Sequence, residues 1–305
     1  MKAEELLRRI DNLSVYRSGE RRAPHKPLLL LFALGRLQQG KFDIPFAEVV
    51  ENLRPLLDAY APPVAARHQP ELPYWHLQSD ALWELDNATN LPLQKGGFPR
   101  TAGLRQTTGH LPAAVATTLT TNPALLAQVV AHLLTAHFPD SLHDEILDAT
   151  GVVLPDAINY VSPPSYAGPQ KRDPEFRRNV LRAYEHRCAV TGFRAALGGS
   201  YFGCEAAHVQ WHAYQGPDTV DNGIALEPTL HKLLDAGAWS LTDDRRIIVS
   251  AEFTGSDSAT TRLRSMHGKP ITEPLPGYEP VSREYIKWHR ERELGGVFRE
   301  PALQL

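Results

Sequence analysis

The stretch from Cys204 to Gly237 constrains this chain more tightly than any other. It opens with Cys-Glu-Ala-Ala-His-Val (Cys204–Val209), small and apolar residues around one imidazole that suit a partly buried strand. A Gly/Pro-rich loop, Gln215-Gly-Pro-Asp-Thr219, leads to Asn222-Gly-Ile-Ala-Leu226. Pro228 then fits the first turn of a short helix that Gly237 stops. Helical spacing places His231 and Asp235, four apart, on one face.

These residue types in this order suit metal-assisted hydrolysis of a phosphodiester. The diester is anionic, so water must be activated and charge on the leaving oxygen neutralised. A neutral imidazole does the first near pH 7 and a divalent cation the second. His208 is the candidate general base. Asn222 is placed to hydrogen-bond backbone across the loop and hold the His208 strand. His231 and Asp235 together suit an open divalent-metal site.

The order "EAAH…NGIAL…LHKLLDAG" (Glu205–His208, Asn222–Leu226, Leu230–Gly237) resembles the HNH, or ββα-metal, nuclease family. The resemblance implies His208 as base, Asn222 as the central Asn, His231 as the terminal His, and Mg²⁺ or a similar ion (Mg²⁺ or Mn²⁺) as cofactor. Many members carry an acidic or His ligand directly before the base, where this chain has Ala207. Glu205 is a substitute ligand, but an offset of three along a strand points to the opposite face unless a bulge intervenes. Asp235 is therefore the favoured acidic ligand.

At 305 residues and 42% hydrophobic content the chain is expected to form two domains. No apolar run is long enough to span a bilayer, the first residues read as an amphipathic helix rather than a signal peptide, and a soluble cytoplasmic protein is expected. With only Cys188 and Cys204, a disulfide scaffold and a four-Cys zinc site are both excluded, and the two thiols read as small buried hydrophobes. A net charge of −3 argues against coating DNA by charge alone, although basic residues gather at Arg17–Lys26 and Lys171–Arg194.

The expected fold class is α+β, with a mainly helical N-terminal domain with short strands (1–153), a Pro-rich linker (154–173) and a C-terminal ββα domain (174–305). In the first of these, helices are expected over Lys2–Leu13, Pro27–Leu37, Pro45–Tyr60, Pro112–Leu119, Pro123–His137 (capped by Asn122) and Ser141–Ala149. Arg17–Lys26 reads as a basic loop, and Leu72–Leu77 and Ala81–Leu85 as short strands. Beyond the linker, helices are expected over Pro174–His186 and Ser282–Glu293 and a strand element over Asp243–Phe253.

Two N-terminal surfaces are candidates for recognition. Arg21-Arg22-Ala-Pro-His25-Lys26-Pro27 sets cationic donors at a helix start, a phosphate-binding arrangement. Leu72-Pro73-Tyr74-Trp75-His76 is an aromatic and proline cluster. The stretches "APHKPLLLLFALGRL" (Ala23–Leu37) and "LPYWHL…ALWEL" (Leu72–Leu77, Ala81–Leu85) resemble the sulfur-binding domain of phosphorothioate-dependent, type IV, McrA-like restriction endonucleases. The resemblance implies a shallow apolar pocket for a sulfur that replaces a phosphate oxygen, lined by Pro73, Tyr74 and His76, with His25 and Lys26 beside it. Sulfur is larger and more weakly hydrated than oxygen, so apolar contact favours it. Arg22 and Arg105 are added on charge alone.

The expected activity is cleavage of phosphorothioated double-stranded DNA, by a homodimer or by sequential nicking. The alternatives are an HNH nuclease that reads methylated or hydroxymethylated cytosine, which needs a deep base pocket, and a DNA-binding protein with an inactive HNH fold.

Overall fold

The computed structural model describes residues 1–18, 21–64, 67–89, 91–154 and 173–304. The chain divides into two compact units, one of Met1–Arg17 with Arg22–Gly168, the other of Ser18–Arg21 with Pro169–Leu305. The expected linker, 154–173, lies outside the described residues except for its two ends.

In the N-terminal unit the helix His25–Gln38 is the centre. Every residue from Leu28 to Leu34 is buried, so this helix is apolar all round and other helices must cover it. Phe46–Tyr60, Ala113–Thr120, Pro123–His137 and His143–Thr150 all pack on it. Gly35 permits the last of these contacts, because a Cβ there would stand 2.1 Å from the Thr150 carbonyl oxygen. Asn122 caps the helix Pro123–His137, its side chain accepting from the Leu125 N–H at 3.0 Å.

A three-stranded antiparallel sheet completes this unit, with Thr108–His110 between Ile44–Pro45 and Glu84–Asp86. Gly109 sits in the middle strand with the Trp83 indole directly beneath it.

Three expectations need correction. The basic segment expected as a loop forms two short paired strands, Tyr16–Ser18 and Arg21–Ala23, and the next helix begins already at His25. Leu72–Leu77 is not a strand but the helix Glu71–His76. Pro70 has helical dihedrals, and Pro73 falls in the first turn, where a missing N–H costs nothing. The third lies in the C-terminal unit, where the element expected over Asp243–Phe253 is confined to Ile247–Val249, paired with Trp239–Leu241.

The C-terminal unit is built on the antiparallel pair Glu205–His208 and Gly223–Leu226. Its register is regular, Glu205 opposite Leu226 and His208 opposite Gly223, with no bulge. The helices Pro174–Ala183 and Pro228–Asp235 both pack on this pair. Ala207, Ile224, Ala225, Leu226, Val180 and Trp239 form the heart of its core. Cys188 and Cys204 are free and buried in the same core. Burial pushes the Cys204 thiol up to about 11, so it is inert as a nucleophile. Helices with short strands in one unit and small antiparallel pairs with helices in the other make the α+β architecture that was expected.

Among the described residues no single helix is long and apolar enough to cross a membrane.

Gly109→Ala places a methyl 2.2 Å from the Trp83 ring. Overpacking of this kind costs about 2 kcal/mol, so the N-terminal unit should melt several degrees lower by circular dichroism; an unchanged melting temperature would contradict the packing described.

Candidate functional site

Asn222 organises the C-terminal site. It is fully buried, and its carboxamide closes the loop between the two strands. Oδ1 accepts from the Gln210 N–H at 2.8 Å, while Nδ2 donates to the carbonyls of Gln210 and Pro217, both at 3.0 Å. Its own carbonyl accepts from the Val209 N–H at 2.9 Å. The backbone just beyond His208 is thereby fixed.

His208 is held from two directions. The Phe176 ring stacks on its face, centroids 3.9 Å apart and 14° from parallel. At its edge, Nε2 bonds Asp218 Oδ1 at 2.8 Å, with both side chains mostly buried. Burial raises the Asp218 carboxyl, but hydrogen bonds from His208 and from the Asp173 backbone N–H outweigh it, and the net direction is down. An ionised carboxylate only accepts. The ring hydrogen is therefore on Nε2, and Nδ1 is the basic nitrogen. His212 stands near, its Nε2 3.8 Å from Asp218.

His231 belongs to a second cluster. Its Nδ1 bonds Glu205 Oε2 at 2.8 Å and its Nε2 bonds Asp235 Oδ2 at 3.2 Å. Burial lowers the His231 pKa, but the charges and hydrogen bonds of Asp235 and Glu205 prevail and push it up to about 9. Glu205 is drawn down, chiefly by its bond from His231. At neutral pH the ring is an imidazolium between two carboxylates.

The candidate residues thus divide. Glu205, His231 and Asp235 come together, and so do His208 and Asp218, while Asn222 bonds neither ring. Alternation along an unbulged strand sends Glu205 and His208 to opposite faces. Gly223 shares the His208 face, and a Cβ there would meet Val180 at 2.3 Å, so the helix Pro174–Ala183 covers that side.

The second cluster offers donor types that suit a hard divalent cation, but its two carboxylates bond opposite nitrogens of the His231 ring, so a cation on either nitrogen reaches only one of them. As it stands, each ring nitrogen is already bonded to a carboxylate. Among the described residues no three His, Cys, Asp or Glu side chains converge as metal ligands.

Sequence reading missed Asp218 and Phe176. Asp218 lies within the loop already noted for its Gly and Pro residues, and its spacing from His208 carries no periodic signal. Phe176 comes from a helix far away in sequence.

In the N-terminal unit, Pro73 and Tyr74 are buried. Tyr74 is fully enclosed, edge-on to Phe46 and Trp83, with its hydroxyl 3.0 Å from Thr107 Oγ1; burial raises its pKa to about 12. It presents no surface to a ligand in this conformation. His76 is exposed and stacks on Phe98, which the sequence reading did not single out. Burial, then the nearby Lys26 charge, lowers the His76 pKa.

Lys26 is buried and pairs with Asp80 at 2.6 Å, so its charge is already balanced. His25 meets His68 edge-on at 5.3 Å, and burial followed by that neighbour lowers it to about 4, leaving it neutral. Arg105 is exposed just beyond the helix Thr101–Leu104. Arg22 lies in the strand Arg21–Ala23, and its side chain is outside those described.

Comparison with known proteins finds a family match within each unit. The family described as ScoMcrA-like, DNA sulfur-binding domain, matches residues 3–154, and the family described as HNH endonuclease matches residues 188–242. No curated protein matches the chain. Among solved structures, the sulfur binding domain of ScoMcrA complexed with phosphorothioated DNA is 24% identical, covering 48% of this chain and 94% of that one with a TM-score of 0.41. The corresponding SprMcrA complex is 23% identical over 50% and 95%, with a TM-score of 0.41. The type IV phosphorothioation-dependent restriction endonuclease ScoMcrA is 24% identical over 48% of this chain and 32% of that one, with a TM-score of 0.40.

The imidazolium between Glu205 and Asp235 gives a pH signature. Its folded pKa of about 9 lies above the ordinary 6.5, so it adds stability fully below pH 6.5 and loses it as pH rises through 9. Denaturant unfolding without divalent ions should show the gap between the protein and His231→Gln shrinking over that range. A gap independent of pH would contradict the charge state assigned.

Proposed function

We propose that this chain, in which a ScoMcrA-like DNA sulfur-binding domain precedes an HNH endonuclease domain, is a type IV restriction endonuclease that recognises phosphorothioated double-stranded DNA and hydrolyses its phosphodiester bonds. The observation that carries the reading is the pairing of the two matched domains in one chain. The proposed division is a reader over 1–153, a linker over 154–173 and a nuclease over 174–305, acting in the cytoplasm as a homodimer or by sequential nicking.

In the nuclease, His208 is the proposed base. Asp218 holds its Nε2 hydrogen and the Phe176 ring fixes its plane, which leaves Nδ1 to take a proton from water. Asp218 also stabilises the positive charge that the ring gains, as a buried carboxylate does for any catalytic imidazole. Asn222 is a positioning residue that holds the backbone beside the base. His231 with one of its two carboxylate partners, Asp235 or Glu205, would hold Mg²⁺ or Mn²⁺ once the ring gives up its proton, and the opposite facing of Glu205 and His208 requires the cleaved phosphodiester to reach round the strand pair. Such an ion, when bound, supplies charge neutralisation at the phosphodiester.

In the reader, His76 and Phe98 are the surface that supports a sulfur pocket, because a stacked, deprotonated imidazole and a phenyl ring offer weakly hydrated contact. Pro73 and Tyr74 lie beneath as the support for that helix, with His25 and Lys26 behind. Arg22 and Arg105 are assigned to the flanking backbone phosphates.

Matched duplexes with and without a phosphorothioate, offered with Mg²⁺ or Mn²⁺, test the reading. The modified duplex should be cut and the unmodified one spared; equal cutting of both would remove the reader role and leave the nuclease. His208→Ala should abolish cutting with binding retained, and Asp218→Asn should lower the rate by about 100-fold or more. Full activity in both variants would remove the base and its partner together.

A further inference from the structure

The two-stranded hairpin Ala195–Leu197 and Ser200–Phe202 takes no part in the site above. Its turn residues, Gly198 and Gly199, both have positive φ, as a tight type I′ connection requires. Ala195 pairs with Phe202, Ala196 with Tyr201 and Leu197 with Ser200. Paired and alternate residues share a face. Leu197 and Phe202 therefore lie on one side and Tyr201 on the other.

An isolated hairpin is marginal in water, and Tyr201 supplies the missing support. Its ring stacks on His186, centroids 4.9 Å apart, and the Arg194 guanidinium lies over it at 4.3 Å and donates to its hydroxyl. The other side is left to solvent. Leu197 is 78% exposed and Phe202 53%. Residues 186–204 carry Arg187 and Arg194 and no Asp or Glu.

A braced arm with Leu197 beside its turn, Phe202 farther back on the same face and an arginine at its base has a specific use against nucleic acid. Proteins that kink a duplex press a few apolar side chains between base steps from a groove while cations hold the phosphates. A second copy of this chain fits less well, since a stable interface needs on the order of 800 Å² per partner and the exposed apolar surface here is confined to Phe193, Leu197, Tyr201 and Phe202.

We propose that this hairpin is a wedge on duplex DNA: Leu197 beside the turn enters a groove with Phe202 behind it and unstacks a base step near the bond to be cut, while Arg194, held over Tyr201 on the opposite face, meets the phosphates on the other wall of the groove. This rests on the reading of the C-terminal unit as a DNA nuclease.

The test uses the full chain, Leu197→Ser, Phe202→Ser and the double variant, all exposed positions whose substitution spares the core. A phosphorothioated duplex is probed with permanganate, which oxidises unstacked thymines, without divalent ion; cutting is then measured with Mg²⁺. The wild-type chain should create hyper-reactive thymines that the double variant does not, and the double variant should cut at least about tenfold more slowly. Cutting by the wild-type chain with no hyper-reactive thymine, or a double variant cutting at the wild-type rate, overturns the wedge and leaves the nuclease standing. A double variant that turns a dimer into a monomer by sedimentation while thymine reactivity persists overturns it in favour of a second copy. No cutting of any duplex by the wild-type chain removes the nuclease reading, and the wedge with it.

Discussion

Asn222 carries a primary amide into the core with no exposed surface, and such a group is tolerated there only when its donors and acceptor are bonded. All three of its bonds go to backbone on either side of one loop. Gly216 belongs to the same arrangement, since a Cβ there would stand 1.9 Å from the Gln210 carbonyl oxygen and 2.9 Å from Asn222 Nδ2. The loop that carries Asp218 to His208 is thus shaped by one side chain, and the geometry around the His208 ring follows from it.

The two imidazoles that flank this loop have opposite electrostatic settings. His208 meets one carboxylate and a phenyl face, an arrangement that fixes the tautomer and leaves one nitrogen basic. His231 meets a carboxylate on each nitrogen and keeps a proton well above neutral pH. A third ring nearby, His289, shows what burial does without such partners. Burial pushes it down to about 4 despite the charge of Asp235, and it bonds Ser240 and the Leu234 carbonyl instead. Local charge, more than residue type, divides the work among these histidines.

Much of this was legible in the sequence because the decisive signals are local. Small and apolar residues around His208 mark the strand, Pro228 and Gly237 bracket the helix, and the all-apolar run after Pro27 marks the buried helix of the first unit. What escaped depended on contacts distant in sequence or on one residue's context. Glu71–His76 looks like a strand by its aromatic content and is a helix because Pro70 and Pro73 suit a first turn. Lys26 reads as a free cation until Asp80 is found beside it. Asp218 and Phe176 could not be tied to His208 by spacing, because a loop and a separate helix deliver them.

The buried amide of Asn222 fixes the loop that brings Asp218 to His208, and the proposed hydrolytic centre depends on it. Asn222→Asp is nearly isosteric but replaces two donors with an acceptor facing the carbonyls of Gln210 and Pro217. Denaturant unfolding and the rate of cutting a phosphorothioated duplex, measured on this one variant, test it directly. The account predicts a loss of about 3 kcal/mol in the C-terminal unit and no detectable cutting. Wild-type stability with wild-type cutting would contradict it.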